Sequence, residues 1–146
     1  MGDRNPRRAR IEPSASRQIE KEHELIRGLL GRMEATVGFE PLLVEIQRLE
    51  PLLFHHFESE EAPGGFYAQI RERIPGNFSR LETLEHEHGE FLDELRRLEA
   101  ACHNRTQPTA AIHRNVLALV QRIRDHEALE TEFLRDAFLT DLGGQE

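Results

Sequence analysis

The chain has 146 residues, enough for one domain with a single hydrophobic core and too few for two ordinary domains. Aromatic residues make up only 6% of the sequence and tryptophan is absent, so the composition favours a helical protein and argues against a β-sandwich or β-barrel. The formal net charge of −8 and the lack of any run of about 18 apolar residues predict a protein that binds neither nucleic acid nor membrane.

The first 17 residues contain five arginines and two prolines, and they lack the apolar central region of a secretory signal. We therefore expect residues 1–17 to form a flexible basic tail and residues 18–146 to form the folded domain. The only cysteine, Cys102, can form neither an internal disulfide nor a cysteine-based zinc site, which is typical of a reducing, cytoplasmic compartment. Any metal must then be held by histidine and carboxylate side chains.

Apolar residues recur at steps of three and four in four segments, which predicts four long helices. The first helix is predicted over residues 16–35, with Ser14 or Ser16 as its N-cap. The second is predicted over residues 41–61, where Pro41 suits the first turn and Pro51 should kink the helix or divide it in two. Residues 62–74 begin with a Pro-Gly-Gly turn and predict a short helical piece whose aromatic side chains cover one end of the helices.

The third and fourth helices complete the predicted fold. The third begins between Pro75 and Phe78 and ends near His103, and residues 104–108 interrupt the pattern. The fourth extends from about Thr109 to residues 142–143. Four long helices with short connections predict an all-α, antiparallel up-down-up-down four-helix bundle.

Each of the four apolar stripes is interrupted by a histidine, and two of them also by a glutamate one turn later. The six residues are His23, His56, Glu60, His88, His126 and Glu130. A buried polar or charged group without a partner costs several kcal/mol, so a core should not contain six of them uncompensated. Something in the core must satisfy these groups.

The spacing of these residues predicts a metal site. Residues i and i+4 lie on one helix face, so His56 and Glu60 both project inward, as do His126 and Glu130. A carboxylate can bridge two cations roughly 3 to 4 Å apart while neutral imidazoles occupy terminal positions, a combination suited to iron, manganese or zinc. Because the first and third helices each add a lone histidine, the predicted site has a pseudo-twofold arrangement.

Over about residues 18–140 the sequence resembles the hemerythrin-like, or HHE cation-binding, family of four-helix bundles. The resemblance is carried by Glu22-His23, by His56-Phe57 with Glu60-Glu61, by Glu87-His88 and by His126 with Glu130. It implies a non-haem di-iron centre with carboxylate and oxo or hydroxo bridges, used to bind O2 or NO, to handle peroxide, or to sense iron and oxygen. It also implies a role for each site residue: His23, His56, His88 and His126 as terminal ligands, and Glu60 and Glu130 as bridging carboxylates.

The sequence departs from the oxygen-carrying members of this family at two positions. Four residues before His88, where those proteins have a second histidine, this chain has Leu84. Their last helix also carries an aspartate five residues after its histidine, whereas here Glu130 follows His126 by four. We therefore expect one iron to lack a protein ligand, which favours reaction with peroxide or NO over reversible O2 carriage.

Two other functions fit parts of the sequence. The pairs Glu20/His23 and Glu85/His88 have the Glu-xx-His spacing of ferritin-like di-metal carboxylate oxidases. Alternatively, a metal could stabilise an interaction or regulatory module that binds an unknown protein partner through the basic tail or the acidic exterior. Two further carboxylates, Glu58 and Glu61, are expected to be solvated. Whether the protein is an enzyme does not follow from these residues.

Overall fold

The computed structural model describes the backbone of residues 13–143 and the side chains of residues 17–137. Within this range the chain is helical and contains no strand. The helices are α1 (Pro13–Ala35), α2 (Phe39–Glu61), α3 (Phe66–Arg73), α4 (Phe78–Asn104) and α5 (Thr109–Gly143). Helix α3 is a single short segment, and the other four helices are long.

The four long helices form the predicted bundle. Helix α1 contacts α2 and α5, and α4 contacts the same two helices, so the order around the bundle is α1, α2, α4, α5. The connections at residues 36–38 and 105–108 are too short to cross the bundle, and each therefore joins two antiparallel neighbours. No helix within residues 13–143 is both long enough and apolar enough to cross a membrane.

The predicted N-cap of the first helix was wrong, and of the two predicted effects of Pro51 the division of the second helix does not occur. Helix α1 begins at Pro13, so Ser14 and Ser16 lie inside the helix and neither is its N-cap. Proline is well tolerated in a first turn because that turn needs no backbone N–H donors. Of the predicted tail, residues 13–17 belong to α1, and residues 1–12 lie outside the described part of the chain. Pro51 does not divide α2, in which Leu49 and Leu53 on either side of it are both fully buried.

The apolar core consists of two clusters of buried residues. The larger one, here called the main core, is built from α1, α2, α4 and α5 and includes Ile26, Leu53, Phe91 and Ile123. The smaller one, here called the end cluster, consists of Phe66, Tyr67, Ile70, Leu81, Leu84, Phe133, Leu134 and Ala137. On α4, His88 lies one turn from Leu84 of the end cluster and one turn from Phe91 of the main core. The predicted site residues therefore lie between two apolar regions.

Helix α3 confirms the prediction of a short aromatic segment after the glycine turn. Phe66, Tyr67 and Ile70 are all buried, and the helix contacts α2 and α5. Gly65 allows this approach, because a Cβ at this position would lie 2.5 Å from the carbonyl oxygen of Ser59 and 2.8 Å from that of Glu60. The glycine thus brings α3 close to the end of α2, beside the site.

Candidate metal centre

The structure brings all six predicted site residues together in one buried cluster, here called the His/Glu cluster. Helix α1 supplies one member, α2 and α5 supply two each, and α4 supplies one. None of the six is more than 5% exposed. Within the described residues, their ligand atoms form two groups of four that share Glu60 and Glu130, and in each group all atoms lie within 4.8 Å of one another.

The first group contains His23 and His56 together with the two glutamates. The Nε2 atom of His56 lies 3.3 Å from Oε1 of Glu60, one helical turn away. The Nε2 atom of His23 lies 3.4 Å from Oε1 of Glu130 and 3.9 Å from Oε2 of Glu60. Both imidazoles therefore present Nε2 to the shared carboxylates.

The second group contains His88 and His126 with the same two glutamates. Their Nε2 atoms are 3.2 Å apart. His88 Nε2 lies 3.5 Å from Oε1 of Glu60, and His126 Nε2 lies 3.5 Å from Oε1 of Glu130. Each glutamate thus contacts imidazoles of both groups, as expected of a carboxylate that bridges two cations.

Three carboxylates outside the cluster fix the orientation of the histidines through Nδ1. Glu22 lies 2.5 Å from Nδ1 of His56, and Glu87 lies 3.1 Å from Nδ1 of His126. Glu61 lies 3.2 Å from Nδ1 of His88. In this arrangement each Nδ1–H donates outward and leaves the Nε2 lone pair directed into the cluster, which is the state a metal ligand requires.

The sequence analysis did not assign these outer carboxylates a role. Glu61 was predicted to be solvated, but its carboxylate contacts His88 although its side chain is 43% exposed. Glu22 and Glu87 directly precede His23 and His88 in the sequence, yet each contacts a histidine of the next long helix. The Glu-His pair that recurs on α1 and α4 could have indicated a role for these two glutamates. The pair does not predict which histidine each glutamate contacts.

Several inward-facing atoms of the cluster have no hydrogen-bond partner among the described residues. They are Nε2 of His23, Nε2 of His56, both carboxylate oxygens of Glu60, and Oε1 of Glu130. Leaving such groups unpaired in a low-dielectric interior is costly. Because the unpaired atoms are imidazole nitrogens and carboxylate oxygens that face one another, the donor set fits a cation of the iron, manganese or zinc type.

The protonation of the cluster also suits a cation. Burial and, to a smaller extent, the nearby His126 lower the pKa of His88 to about 3, so this imidazole is neutral at neutral pH. Burial and the neighbouring Glu130 raise the pKa of Glu60 well above its usual range. Burial also acts to raise the pKa of Glu130, but His126 and His23 outweigh it and hold that pKa well below its usual range. A bound cation would stabilise the charge of the Glu60 and Glu130 carboxylates, as a proton and the neighbouring imidazoles do without it.

Tyr67 of α3 is a member of the site that the sequence analysis assigned only to packing. Its side chain is 1% exposed, and its hydroxyl donates to Oε2 of Glu130 at 2.8 Å. The Tyr67 hydroxyl oxygen also lies 2.9 Å from Nε2 of His88. Burial raises the pKa of Tyr67, and Glu130 and Glu60 raise it further. The signal in the sequence was weak, since a single tyrosine after a glycine turn is usually a packing residue.

The two groups have different surroundings. The Phe57 ring stacks on His88 at 3.9 Å between ring centroids, and Phe91 contacts His126 edge-on at 5.2 Å. On the other side, a cavity of about 270 Å³ reaches His56 and Glu60 between α1, α2 and α3. Its polar lining includes Gln18, His55, Ser59 and Gln69. A second cavity, of about 370 Å³, borders Phe57 and His88, so a small molecule from solvent has space to approach either group.

The ferritin-like hypothesis was wrong about the ligands. Glu20 is exposed. Glu85 forms an ion pair with Arg71 and does not belong to either ligand group. By contrast, His56 and His126, which that hypothesis leaves unexplained, lie inside the cluster.

The fold and the cluster define a class of protein: a four-helix bundle whose buried histidine and glutamate side chains fit a metal site. The family model described as Hemerythrin HHE cation binding domain matches residues 14–134, which is most of the chain. The chain therefore belongs to the hemerythrin HHE cation-binding family. The comparisons with curated proteins and with solved structures found no match.

Proposed function

We propose that the chain binds a non-haem di-iron centre in the His/Glu cluster, and that this centre binds, reacts with or senses O2, NO or peroxide. The observation that supports the proposal best is the set of unpaired inward-facing atoms of His23, His56, Glu60 and Glu130. Two ligand groups that share both carboxylates call for two cations instead of one. Iron has the affinity for mixed imidazole and carboxylate ligands that this donor set requires, with zinc or manganese as alternatives.

In this proposal each side chain has a defined role. His23 and His56 would hold one iron as terminal ligands, His88 and His126 would hold the other, and both irons would share Glu60 and Glu130. Glu22, Glu61 and Glu87 hold the imidazoles in the tautomer that directs Nε2 inward. When bound, the iron pair supplies electrons and open coordination positions for a small ligand.

The surroundings of the cluster support a small ligand instead of a large substrate. The cavity that reaches His56 and Glu60 measures about 270 Å³, and its lining includes the polar side chains of Gln18, His55, Ser59 and Gln69. The lack of a histidine at position 84 favours redox reactivity with peroxide or NO over stable O2 carriage. The single cysteine favours a reducing, cytoplasmic compartment for this chemistry.

Metal content is the first test. We expect about two irons per chain by plasma mass spectrometry after anaerobic loading with ferrous iron, with near-ultraviolet absorption of a bridged ferric pair after exposure to air. His88→Ala should bind about one iron less than the wild type, because His88 belongs to one ligand group only. His86→Ala, two residues away on the exposed side of α4, should bind as much iron as the wild type. A chain that binds no iron under these conditions would refute the proposal.

The reactivity has a separate test. The diferrous protein should autoxidise within minutes in air and react with peroxide or NO, since the redox interpretation predicts no stable O2 adduct. A long-lived, reversible O2 adduct would instead assign the protein to oxygen carriage while leaving the iron centre intact.

A further inference from the structure

The two ligand groups are not equivalent, because an additional oxygen donor lies beside the second one. The Tyr67 hydroxyl is within 2.9 Å of His88 Nε2 and within 2.8 Å of Glu130 Oε2. Both atoms belong to residues of the second group. No equivalent phenol can exist at the first group, since Tyr67 is the only tyrosine of the chain.

The distances around this hydroxyl match those between neighbouring donors on one metal ion. With metal–ligand bonds of about 2.1 Å, adjacent donors of an octahedral ion lie about 3 Å apart. The Tyr67 oxygen has that separation from a nitrogen of His88 and an oxygen of Glu130, and the Nε2 atoms of His88 and His126 are 3.2 Å apart. The phenol oxygen is thus close enough to donor atoms of His88 and Glu130 to share a cation with them.

Hydrogen bonding alone does not satisfy this arrangement. In the tautomer of His88 that donates Nδ1–H to Glu61 at 3.2 Å, which is the tautomer a metal ligand requires, the Nε2 lone pair of that ring faces the Tyr67 oxygen. The phenol has one proton and donates it to Glu130. It therefore has none left for His88, and two lone pairs face each other at 2.9 Å. A cation placed among these atoms would accept electron density from all of them.

The fold positions Tyr67 firmly and near the place of the missing histidine. Tyr67 and Leu84 both belong to the end cluster, and both are almost completely buried. Gly65 lets the start of α3 approach the carbonyl oxygens at the end of α2, two residues before the tyrosine. The close approach of the α2 and α3 backbones fixes the start of α3, and the apolar side chains of the end cluster pack against Tyr67.

We propose that Tyr67 is a protein ligand of the metal ion held by His88 and His126, in place of the histidine that Leu84 replaces. This inference rests on the proposed function, because it needs a metal ion in the second group. On binding, the phenol O–H bond breaks, the oxygen keeps the electron pair and donates it to the cation, and the proton leaves to water. The second ion then has a protein donor where the sequence alone predicts a vacancy.

Phenolate coordination has a signature that a hydrogen-bonding or packing role lacks. A phenolate bound to ferric iron gives visible charge-transfer absorption, and resonance Raman excitation into that band enhances phenolate ring vibrations. The full chain is loaded anaerobically with ferrous iron, oxidised with ferricyanide, desalted, and verified as ferric by Mössbauer spectroscopy. Growth on ring-deuterated tyrosine labels one residue of this chain, so any ring vibration that shifts is that of Tyr67.

We expect the visible band and the isotope-sensitive vibrations in the wild type, and the loss of both in Tyr67→Phe, which keeps the ring and its packing. Phe66→Leu is the matched control, because it alters the adjacent buried ring of α3 and keeps the phenol, and it should retain both signals. Iron bound in the wild type without phenolate vibrations would overturn this inference and leave the iron centre standing. Failure of the wild type to bind iron would overturn both.

Discussion

The two halves of the His/Glu cluster use the same ligand types in different settings. His56, from α2, lines a cavity that has polar side chains in its wall, whereas His88 and His126, from α4 and α5, contact aromatic rings, and a second cavity borders His88. A pseudo-twofold sequence pattern thus produces an asymmetric site. The asymmetry comes from α3, which has no counterpart at the α4–α5 connection and brings Tyr67 to one half only.

The difference between the two halves would allow one bundle to use one metal ion for stability and the other for binding a small ligand. A metal ion enclosed by protein donors stabilises the fold, while one with an open position can meet a ligand from solvent. Glu60 and Glu130 are common to both halves, so a change at either glutamate alters both ligand groups. The histidines and the outer carboxylates belong to one half each and allow the halves to be tested separately.

The largest expected effect follows from replacing a shared carboxylate. Glu60→Ala and Glu130→Ala should each reduce the bound metal from about two ions to less than one, because both ions lose a ligand together. His56→Ala, which affects only the first group, should retain about one ion. Plasma mass spectrometry of the loaded proteins measures these ratios.

Neighbouring glutamates provide the controls for this experiment. Glu58→Ala on α2 and Glu132→Ala on α5 remove exposed carboxylates two residues away from the shared ones, and both variants should hold as much metal as the wild type. Loss of only one ion in Glu60→Ala and Glu130→Ala would mean that the carboxylates do not bridge.

A smaller effect is expected from the outer carboxylates. Glu22→Ala should weaken metal binding by about 10- to 100-fold, since the Nδ1–H of His56 loses its acceptor and the ring loses its fixed orientation. Glu61→Ala should have the weaker effect, because its contact with His88 is longer, at 3.2 Å, and its side chain is 43% exposed. Competition titrations with a metallochromic chelator compare the two affinities, and an equal effect of both variants would contradict the expected order.

The smallest effect concerns the metal-free protein in mild acid. The pKa of His88 is lowered to about 3 in the folded state by burial and by His126, and its value in the unfolded chain is about 6.5. Between these values the unfolded state binds one more proton, so this group destabilises the fold as the pH falls below about 6.5. Between about pH 6 and about pH 5 the contribution is about 1 kcal/mol.

Urea unfolding of the chelator-treated protein measures this contribution. Over that pH interval the free energy of unfolding of the wild type should decrease by about 1 kcal/mol more than that of His88→Leu, which has no imidazole to protonate. Parallel pH profiles of the two proteins would show that His88 is not buried in its neutral form.

Most of the fold and all six members of the His/Glu cluster were predictable from residue spacing. A helical stripe determines which side chains share a face, and His23, His56, His88 and His126 each lie within an apolar stripe. Burying those stripes against one another necessarily buries the histidines together. Helix ends were less predictable, as the start of α1 at Pro13 shows, because several residues near an end can satisfy the same rules.

The partners of the histidines were not predictable in the same way. Periodicity orients a side chain about its own helix axis, but the contact of Glu22 with His56, or of Glu87 with His126, depends on how two helices are rotated against each other. The position of Tyr67 depends on a turn, a glycine and the packing of a short helix. None of these leaves a periodic signal in the sequence.

The sequence by itself determined a four-helix bundle with histidine and glutamate side chains in its core, because hydrophobic periodicity and i, i+4 spacing are local properties. The tertiary structure alone decided that two glutamates are shared by two ligand groups, that outer carboxylates fix the imidazoles, and that a single tyrosine makes the halves unequal. These features are distances between side chains on different helices, which only the packing of the whole bundle sets.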